Sequence, residues 1–301
     1  LVPQADPATW WRQGVPRQDD MDGEIELSAS HVGELLTCPR RWFMTRRAGA
    51  SSGSAFRASI GSLVHRICAE NMDQWSLPKA LAELEAAWPE IELSAEWQRS
   101  AELADAKAAV QRFDGWLQLR NRQLIGTEVR VDGTITVPSG TARVRGSIDR
   151  LERDAEGAYY VVDLKTGTSQ SDEIKQSHRL QIGVYQAVVA SGGVEAIGPA
   201  SVSGAELVHL RIGAGKGQAN PKVDYQNGLV DVPWPDEAEA VDGCCNWIEA
   251  SVDRALRIVR SGEYPAIANR GCGHCPARAG CPALVPMDPA TAGSDRRRNV
   301  P

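Results

Sequence analysis

The first part of the chain has the apolar spacing of helices. In LSASHVGELLTCPRRWFMTRR, residues 27–47, Val32, Leu35 and Leu36 share one helical face, and Ser28 or Ser30 suits the N-cap. A second helix is predicted over AFRASIGSLVHRICAENMDQW, residues 55–75. The pattern stays helical from about residue 78 to residue 124. Four large aromatic side chains are expected to anchor this helical insertion in a core: Trp88, Trp97, Phe113 and Trp116.

The apolar period then changes to two, which is typical of strands. Strands are predicted in EVRVDGTITVP, ARVRGSIDRLERD and AYYVVDLKT, and later in AELVHLRIG and PKVDYQNGLVDV. Between them, SHRLQIGVYQAVVASG predicts a helix that ends at Gly192 and Gly193. A long amphipathic helix is predicted from Pro235 to about Tyr264. The order of elements predicts an α/β domain with a central mixed sheet flanked by helices.

Both ends of the chain lack a periodic apolar pattern. The chain begins with Leu1 rather than Met, and its first residues are rich in Pro and Asp. Residues 1–26 are therefore expected to be a linker from a preceding module of a longer polypeptide. Residues 286–301 are expected to be a flexible tail. One domain is predicted between them, over residues 27–285, with a core at about 127–232.

The composition is that of an ordinary soluble globular protein, with 42% hydrophobic and 24% charged residues. No apolar run approaches the roughly 18 residues that would span a bilayer, so no membrane partner is expected. The net charge of −6 argues against strong attraction of the whole chain to nucleic acid. A protein of this charge that acts on DNA would need a local basic surface or a partner that delivers the substrate.

The seven cysteines fall into two groups. Without a signal segment, a reduced cytoplasm is expected, and Cys68, Cys244 and Cys245 are expected to be small core residues. The stretch CGHCPARAGC places three thiols at C-x2-C-x5-C spacing, which suits a metal site that needs a fourth ligand. Cys38 is the best candidate for that ligand, and the nearby His274 is its rival. Spacing alone leaves zinc and an iron–sulfur cluster open for Cys272, Cys275 and Cys281.

Two acids are predicted to face each other across a hairpin. Asp149 and Asp163 lie on consecutive strands, and the turn falls at about residue 156, midway between them. Residues symmetric about such a turn have Cβ atoms roughly 4.5–5.5 Å apart. Two carboxylates at that distance repel each other unless a cation lies between them. A hard divalent ion such as Mg²⁺ or Mn²⁺ suits this pair.

Lys165 is expected on the same face as Asp163, because it lies two residues further along the strand. Its ammonium could orient or deprotonate a water, or stabilise charge on a phosphate. Leu164 is expected to point into the core while its carbonyl remains available to the ion. The alternative is a solvated hairpin face with cross-strand ion pairs.

His65 lies on a helix predicted to cover the sheet, and Gln181 and Tyr185 share one helix face at i,i+4.

Four short motifs together resemble a known family. GSLVH, GSIDR, VVDLKTG and QIGVY occur in the order and approximate spacing of the RecB-like branch of the PD-(D/E)XK nucleases. The resemblance runs from about Leu27 to Leu284 and implies a restriction-endonuclease-like core. In that family the matching histidine and acids hold the catalytic metal, which implies this role for His65, Asp149 and Asp163.

The resemblance also implies roles for residues around the metal. The lysine that matches Lys165 assists the attacking water, and the residues that match Gln181 and Tyr185 face the active site or the DNA. Glu70 matches a glutamate that often accompanies the histidine. Its i,i+5 spacing turns it away from His65 on an ideal helix, so its role is left open.

The cysteine layout resembles a subset of the RecB-like nucleases, the AddB and AdnA/AdnB types. These proteins carry one cysteine before the nuclease motifs and three after them, and the four thiolates hold a 4Fe-4S cluster. The resemblance implies that Cys38, Cys272, Cys275 and Cys281 hold such a cluster, which would clasp the two ends of the domain. Zinc is the alternative.

The function implied is that of a DNA nuclease, with exonuclease or endonuclease action, in DNA end resection and double-strand break repair. Single-stranded DNA is expected as substrate, fed by a helicase motor in the same polypeptide, together with a second helicase–nuclease subunit. The competing hypothesis is a non-catalytic DNA-binding or scaffold module of a helicase complex.

Overall fold

The computed structural model describes residues 23–50, 55–70, 74–92, 95–168, 171–215, 219–229 and 240–284. Of residues 55–58, 172 and 173 it describes the backbone alone. The predicted tail, most of the predicted linker and Pro235 lie outside the described residues.

Six strands form one mixed sheet in the order β1-β3-β4-β5-β6, with β2 also paired to β3. β1 pairs with β3, and β4 with β5, in parallel; the pairs β2–β3, β3–β4 and β5–β6 are antiparallel. The predicted central mixed sheet is therefore confirmed. Its strands are β1 (Ile25–Leu27), β2 (Gln123–Val137), β3 (Gly140–Arg153), β4 (Tyr159–Lys165), β5 (Val202–Gly213) and β6 (Pro221–Asn227).

Helices cover both faces of this sheet. In chain order they are α1 (Ala29–Thr37), α2 (Pro39–Arg46), α3 (Ala55–Ala69), α4 (Leu77–Ala87), α5 (Arg99–Leu117), α6 (Asp172–Ala190) and α7 (Trp247–Ser261). Short 3₁₀ turns lie at Trp88–Glu90, Glu96–Gln98 and Arg270–His274. No helix in the described part of the chain has the length and hydrophobicity needed to span a bilayer.

The ends of several predicted elements were wrong. The helix predicted over residues 27–47 is two helices, because Cys38 is extended (φ −163°, ψ 99°) and the residue before a proline avoids the helical region. Ser28 is its N-cap. The helical insertion ends at Leu117, so residues 123 and 124 belong to β2. The sheet begins at Ile25, inside the predicted linker.

The last helix begins well after its predicted start. Asn246 is its N-cap, and the Asn246 side chain accepts hydrogen bonds from the backbone N–H groups of Ile248 and Glu249, both at 3.0 Å. Residues 240–246 are not helical. The helix then ends at Gly262, which has the left-handed conformation (φ 66°) that favours glycine.

Two apolar clusters hold the layers together. One joins the sheet to α1, α6 and α7, and the other joins it to α3, α4 and α5. β4 lies between them, and its residues from Tyr160 to Leu164 are all buried. Trp88, Phe113 and Trp116 are buried as predicted, whereas the prediction for Trp97 was wrong, because this side chain is 79% exposed.

Candidate active site

The two predicted acids lie where the β3–β4 ladder ends. The ladder runs from Arg153 opposite Tyr159 to Arg150 opposite Val162, and the next positions along it are Asp149 and Asp163. There the Leu164 N–H donates to Asp149 Oδ2 at 2.6 Å. A side-chain carboxylate thus replaces the next backbone partner. Both acids are held at the carboxyl end of β4, in the register that symmetry about residue 156 predicts.

Asp163 is an almost fully buried acid, 4% exposed. Its Oδ2 lies 2.8 Å from Lys165 Nζ. Burial raises the pKa of Asp163, the charge of Lys165 opposes that rise, and the charge of Asp149 adds to it. A nearby cation stabilises the ionised form of a carboxyl group in such surroundings.

His65 reaches the acids from α3. Its Nδ1 lies 3.5 Å from Asp149 Oδ2. Burial lowers the pKa of His65, but the hydrogen bond to Asp149 and the charges of both acids outweigh burial and raise it. Gly61, one turn before His65, makes the approach possible, because a Cβ there would lie 2.8 Å from Thr166 Oγ1. The glycine in GSLVH therefore lets α3 pack against the loop that follows β4.

α6 holds the other side of the lysine. Gln181 Oε1 accepts a hydrogen bond from Lys165 Nζ at 2.8 Å. Tyr185, one turn further, is 6% exposed, and its pKa is raised to about 12 by burial and by the charges of Asp163 and Asp149, against a hydrogen bond with Gln181. The Tyr185 hydroxyl lies 3.1 Å from where a Cβ on Gly146 would be. The i,i+4 face predicted for Gln181 and Tyr185 therefore faces the acids and the lysine.

Glu128 is a site residue that the sequence reasoning missed. One donor atom each from His65, Glu128 and Asp149 lie within 4.8 Å of one another, and no other such trio of metal-binding side chains occurs among the described residues. Thr127 pairs with Arg150 and Val129 with Ile148, so Glu128 is opposite Asp149. The symmetry argument that paired the two aspartates would have found it, since residues 128 and 149 are equally spaced about the β2–β3 turn.

Two further missed residues lie beside Lys165. His209 is the cross-strand partner of Lys165 on β5, and its Nε2 hydrogen-bonds Asp224 Oδ2 at 2.8 Å. The His178 ring centroid is 6.5 Å from that of His209. Burial and the charge of Lys165 lower the pKa of His178 to about 4. The helical repeat offered a signal, because residue 178 is three before Gln181.

An open cleft of about 670 Å³ adjoins this cluster. Glu70 lines it together with His65 and Glu128, although Glu70 lies just beyond the end of α3. The structure thus brings the six predicted catalytic residues to one end of β4, with Glu70 at the side of the cleft. Leu164 has a buried side chain, as expected, while its carbonyl as a metal ligand stays a prediction.

The four predicted cluster cysteines meet, although the chain separates them widely. Cys38, Cys272, Cys275 and Cys281 all line one small cavity. The Ile267 N–H donates to Cys38 Sγ at 3.5 Å, and the Asn269 N–H donates to Cys272 Sγ at 3.3 Å. His274 is exposed and is not part of the cavity lining. The geometry therefore favours Cys38 over His274 as the fourth ligand of the predicted cysteine site.

The other three cysteines differ from one another. Cys68 is buried, as expected, and burial raises the pKa of its thiol. Cys244 is half-buried. Cys245 is exposed, so its prediction as a core residue was wrong. It precedes the N-cap of α7, where its N–H donates to Glu249 Oε2 at 2.6 Å.

Comparison with known proteins agrees with this geometry. The family model described as the PD-(D/E)XK nuclease superfamily matches residues 26–282. The chain belongs to this superfamily. Membership implies a nuclease that depends on a divalent metal and acts on DNA, and the PD-(D/E)XK fold agrees with the mixed sheet flanked by helices.

Two other comparisons add nothing to this assignment. No curated protein matches the chain. A solved structure entitled "Crystal structure of SSO0001" is 17% identical and covers 88% of this chain and 89% of its own, with a TM-score of 0.43. The assignment to the PD-(D/E)XK superfamily rests on the family model.

Proposed function

We propose that this PD-(D/E)XK protein is a Mg²⁺- or Mn²⁺-dependent nuclease that cuts single-stranded DNA in end resection and double-strand break repair. The observation that carries the proposal is the group of His65, Glu128 and Asp149, whose donor atoms lie within 4.8 Å of one another. Asp163 and Lys165 lie at the same strand end.

The side chains present fit a divalent ion. Two carboxylates and one imidazole offer oxygen and nitrogen donors, and Mn²⁺ accepts both, while Mg²⁺ prefers the oxygens. Burial and the charge of Asp149 raise the pKa of Asp163, so a cation bound nearby would stabilise the ionised form of this carboxyl group. His65, Glu128, Asp149 and Asp163 would hold the ion, which would polarise the scissile phosphate and lower the pKa of a bound water.

The protein's own residues would prepare the attack. Lys165 is held by Asp163 and Gln181, each at 2.8 Å, so its ammonium is fixed before substrate arrives. An ammonium that is already held in position can stabilise the negative charge that develops on a phosphate, because it does not have to move during the reaction. Asp149 is oriented by the Leu164 N–H. These contacts support a role for Lys165 in positioning the attacking water.

Single-stranded DNA suits both the cleft and the charge. A cleft of about 670 Å³ is in the size range of small-ligand pockets, which accommodates a short stretch of one strand. The net charge of −6 gives little general attraction to DNA. Delivery by a helicase motor in the same polypeptide, with a second helicase–nuclease subunit, would remove that difficulty.

The cysteine cavity supports assignment to the RecB-like branch with a 4Fe-4S cluster. Cys38 lines this cavity together with Cys272, Cys275 and Cys281, so it would supply the fourth thiolate that such a cluster needs.

The proposal is tested with the chain coupled to its motor, purified without air. It should be brown, and it should cut single-stranded DNA when Mg²⁺ or Mn²⁺ is present. Asp163→Ala should abolish cleavage and leave the colour and the fold unchanged. Colourless protein with one zinc per chain would remove the cluster.

The second candidate is a non-catalytic scaffold that keeps the fold for architecture. The observation that favours it is the cysteine cavity. Residues from both ends of the domain meet there, and this contact does not depend on whether DNA is cut. If the unmutated chain, coupled to its motor and loaded with metal, cuts no DNA, the scaffold function replaces the nuclease.

A further inference from the structure

The outer side of α3 forms one wall of the cleft beside the metal-binding trio. Gly61 and His65 form one stripe of this helix, facing Thr166 and Asp149. Ser62 and Arg66 form the next stripe, spaced i,i+4, and both are exposed. All four line the 670 Å³ cleft. A polar stripe therefore runs directly beside the one that carries His65.

Arg66 has no acidic partner in the part of the chain that the structure describes. No described residue forms an ion pair with it, whereas the exposed Arg46 pairs with Glu34 and the exposed Arg145 pairs with Asp132. Glu70, four residues after Arg66 and just beyond the end of α3, lines the same cleft without pairing to Arg66. A guanidinium left in a cleft without a carboxylate can bind an external anion, and its planar fork matches a phosphate.

We propose that Arg66, assisted by the Ser62 hydroxyl, binds the DNA phosphate next to the scissile one. This inference rests on the proposed nuclease function and specifies how its substrate is held. The two side chains are about 6 Å apart along the helix axis, at 1.5 Å per residue, so they can share one phosphate. Because their stripe adjoins that of His65, this phosphate lies beside the one at the metal-binding trio.

Arg66 is thereby a positioning residue for the substrate. It holds a phosphate that does not react, so the contact is as strong in the ground state as in the transition state. Losing such a contact raises KM and leaves kcat unchanged. A phosphate contact also carries no sequence information, so its loss weakens binding equally for all sequences.

Glu70 should affect DNA affinity in the direction opposite to that of Arg66. Its carboxylate lies one turn beyond Arg66, on the same wall of the cleft. If a phosphate occupies the Arg66 position, Glu70 repels it, and removing the charge of Glu70 strengthens binding. Two neighbouring residues should therefore change DNA affinity in opposite directions.

The test measures binding of a labelled single-stranded oligonucleotide in EDTA, by fluorescence anisotropy at several salt concentrations. Arg66→Ala should lower affinity about tenfold, and the slope of log K against log salt should fall by about 0.7, the value for one single-strand phosphate contact. Glu70→Gln should raise affinity. Lys79→Ala is the charge-matched control, because Lys79 is exposed and lies outside the cleft.

Arg66 is exposed, so its replacement should leave thermal stability unchanged. With Mn²⁺, Arg66→Ala should raise KM about tenfold at constant kcat. The inference is overturned if Arg66→Ala keeps the unmutated salt slope, if Lys79→Ala loses as much affinity, or if the unmutated chain binds no single strand. Binding in EDTA needs no cleavage, so a chain that binds with the expected slope but cuts nothing with metal overturns the nuclease function alone.

Discussion

Glu128 departs from ordinary strand geometry. Its φ is +48°, and it is the only non-glycine residue with a positive φ among those described. A positive φ in an acid is costly, and it persists because β2 and β3 pair on both sides of it. Its carboxylate accepts from the Ser147 hydroxyl at 2.9 Å and lies beside Asp149 and His65. Glu128 thus combines a strained backbone with a carboxylate that lies beside two other donor side chains. This combination indicates a functional role for Glu128 rather than a purely structural one.

Glu128→Gln should weaken binding of Mn²⁺ by about tenfold to a hundredfold, because one anionic donor of the trio is lost. Binding of an ion to the folded state raises the melting temperature. The rise in melting temperature with added Mn²⁺ should therefore be smaller in the variant than in the unmutated chain.

The control for this measurement is Glu156→Gln, which removes an exposed acid from the β3–β4 turn. It should keep the full response to Mn²⁺. An unchanged response in Glu128→Gln would place the ion elsewhere.

At the scale of elements, the helical insertion shows what periodicity predicts and what it does not. α4 and α5 pack Leu84, Phe113 and Trp116 into the cluster that they share with the sheet. Trp97 has equal hydrophobicity, but it lies on the 3₁₀ turn between them and remains exposed. In the sequence, the buried residues and Trp97 are equally apolar. Burial was decided by the path of the turn, which depends on how α5 meets the preceding segment.

Trp88 and Trp97 offer a matched pair for this point. Trp88→Ala should lower the free energy of unfolding by about 3–5 kcal/mol, because it empties a buried position that is 4% exposed. Trp97→Ala should change it by less than about 0.5 kcal/mol, as exposed substitutions do. Urea unfolding measures both, and equal losses would contradict the burial of Trp88 or the exposure of Trp97.

At the scale of the whole molecule, the two ends of the domain are held together. The Arg40 N–H donates to the Pro265 carbonyl at 3.1 Å, and the ring of Tyr264 stacks on those of Trp42 and Phe43. Beside these contacts lies the cavity that Cys38 shares with the three C-terminal cysteines. A cluster bound there would close a loop of more than two hundred residues, which would remove much entropy from the unfolded chain.

Cys38→Ser should abolish the brown colour of anaerobically purified protein and lower the free energy of unfolding. By analogy with a covalent cross-link of this loop length, the loss should be roughly 5 kcal/mol. Visible absorption, iron content and urea unfolding measure the outcome. Cys245→Ser, at an exposed cysteine outside the cavity, should keep both colour and stability. If Cys38→Ser kept its iron and its stability, the fourth ligand would lie elsewhere.

Local patterns in the sequence were enough to predict the strands, most of the helices and the placement of Asp149 opposite Asp163. These depend on local spacing: the alternation of apolar residues and the symmetry of a hairpin about its turn. The same symmetry would have identified Glu128. The break at Cys38 was also readable, because Pro39 follows it. Predictions of this kind hold because neighbours in the chain constrain one another directly.

Which distant groups meet depends on the packing of the whole fold. It placed His65 beside Asp149, Gln181 against Lys165, and Cys38 in one cavity with Cys272, Cys275 and Cys281. Each meeting depends on how whole helices pack across the sheet, which many long-range contacts set together and no local pattern encodes. The resemblance to a family predicted these groupings by motif order. Their distances, the exposure of Trp97 and the cleft beside Arg66 required the packed fold.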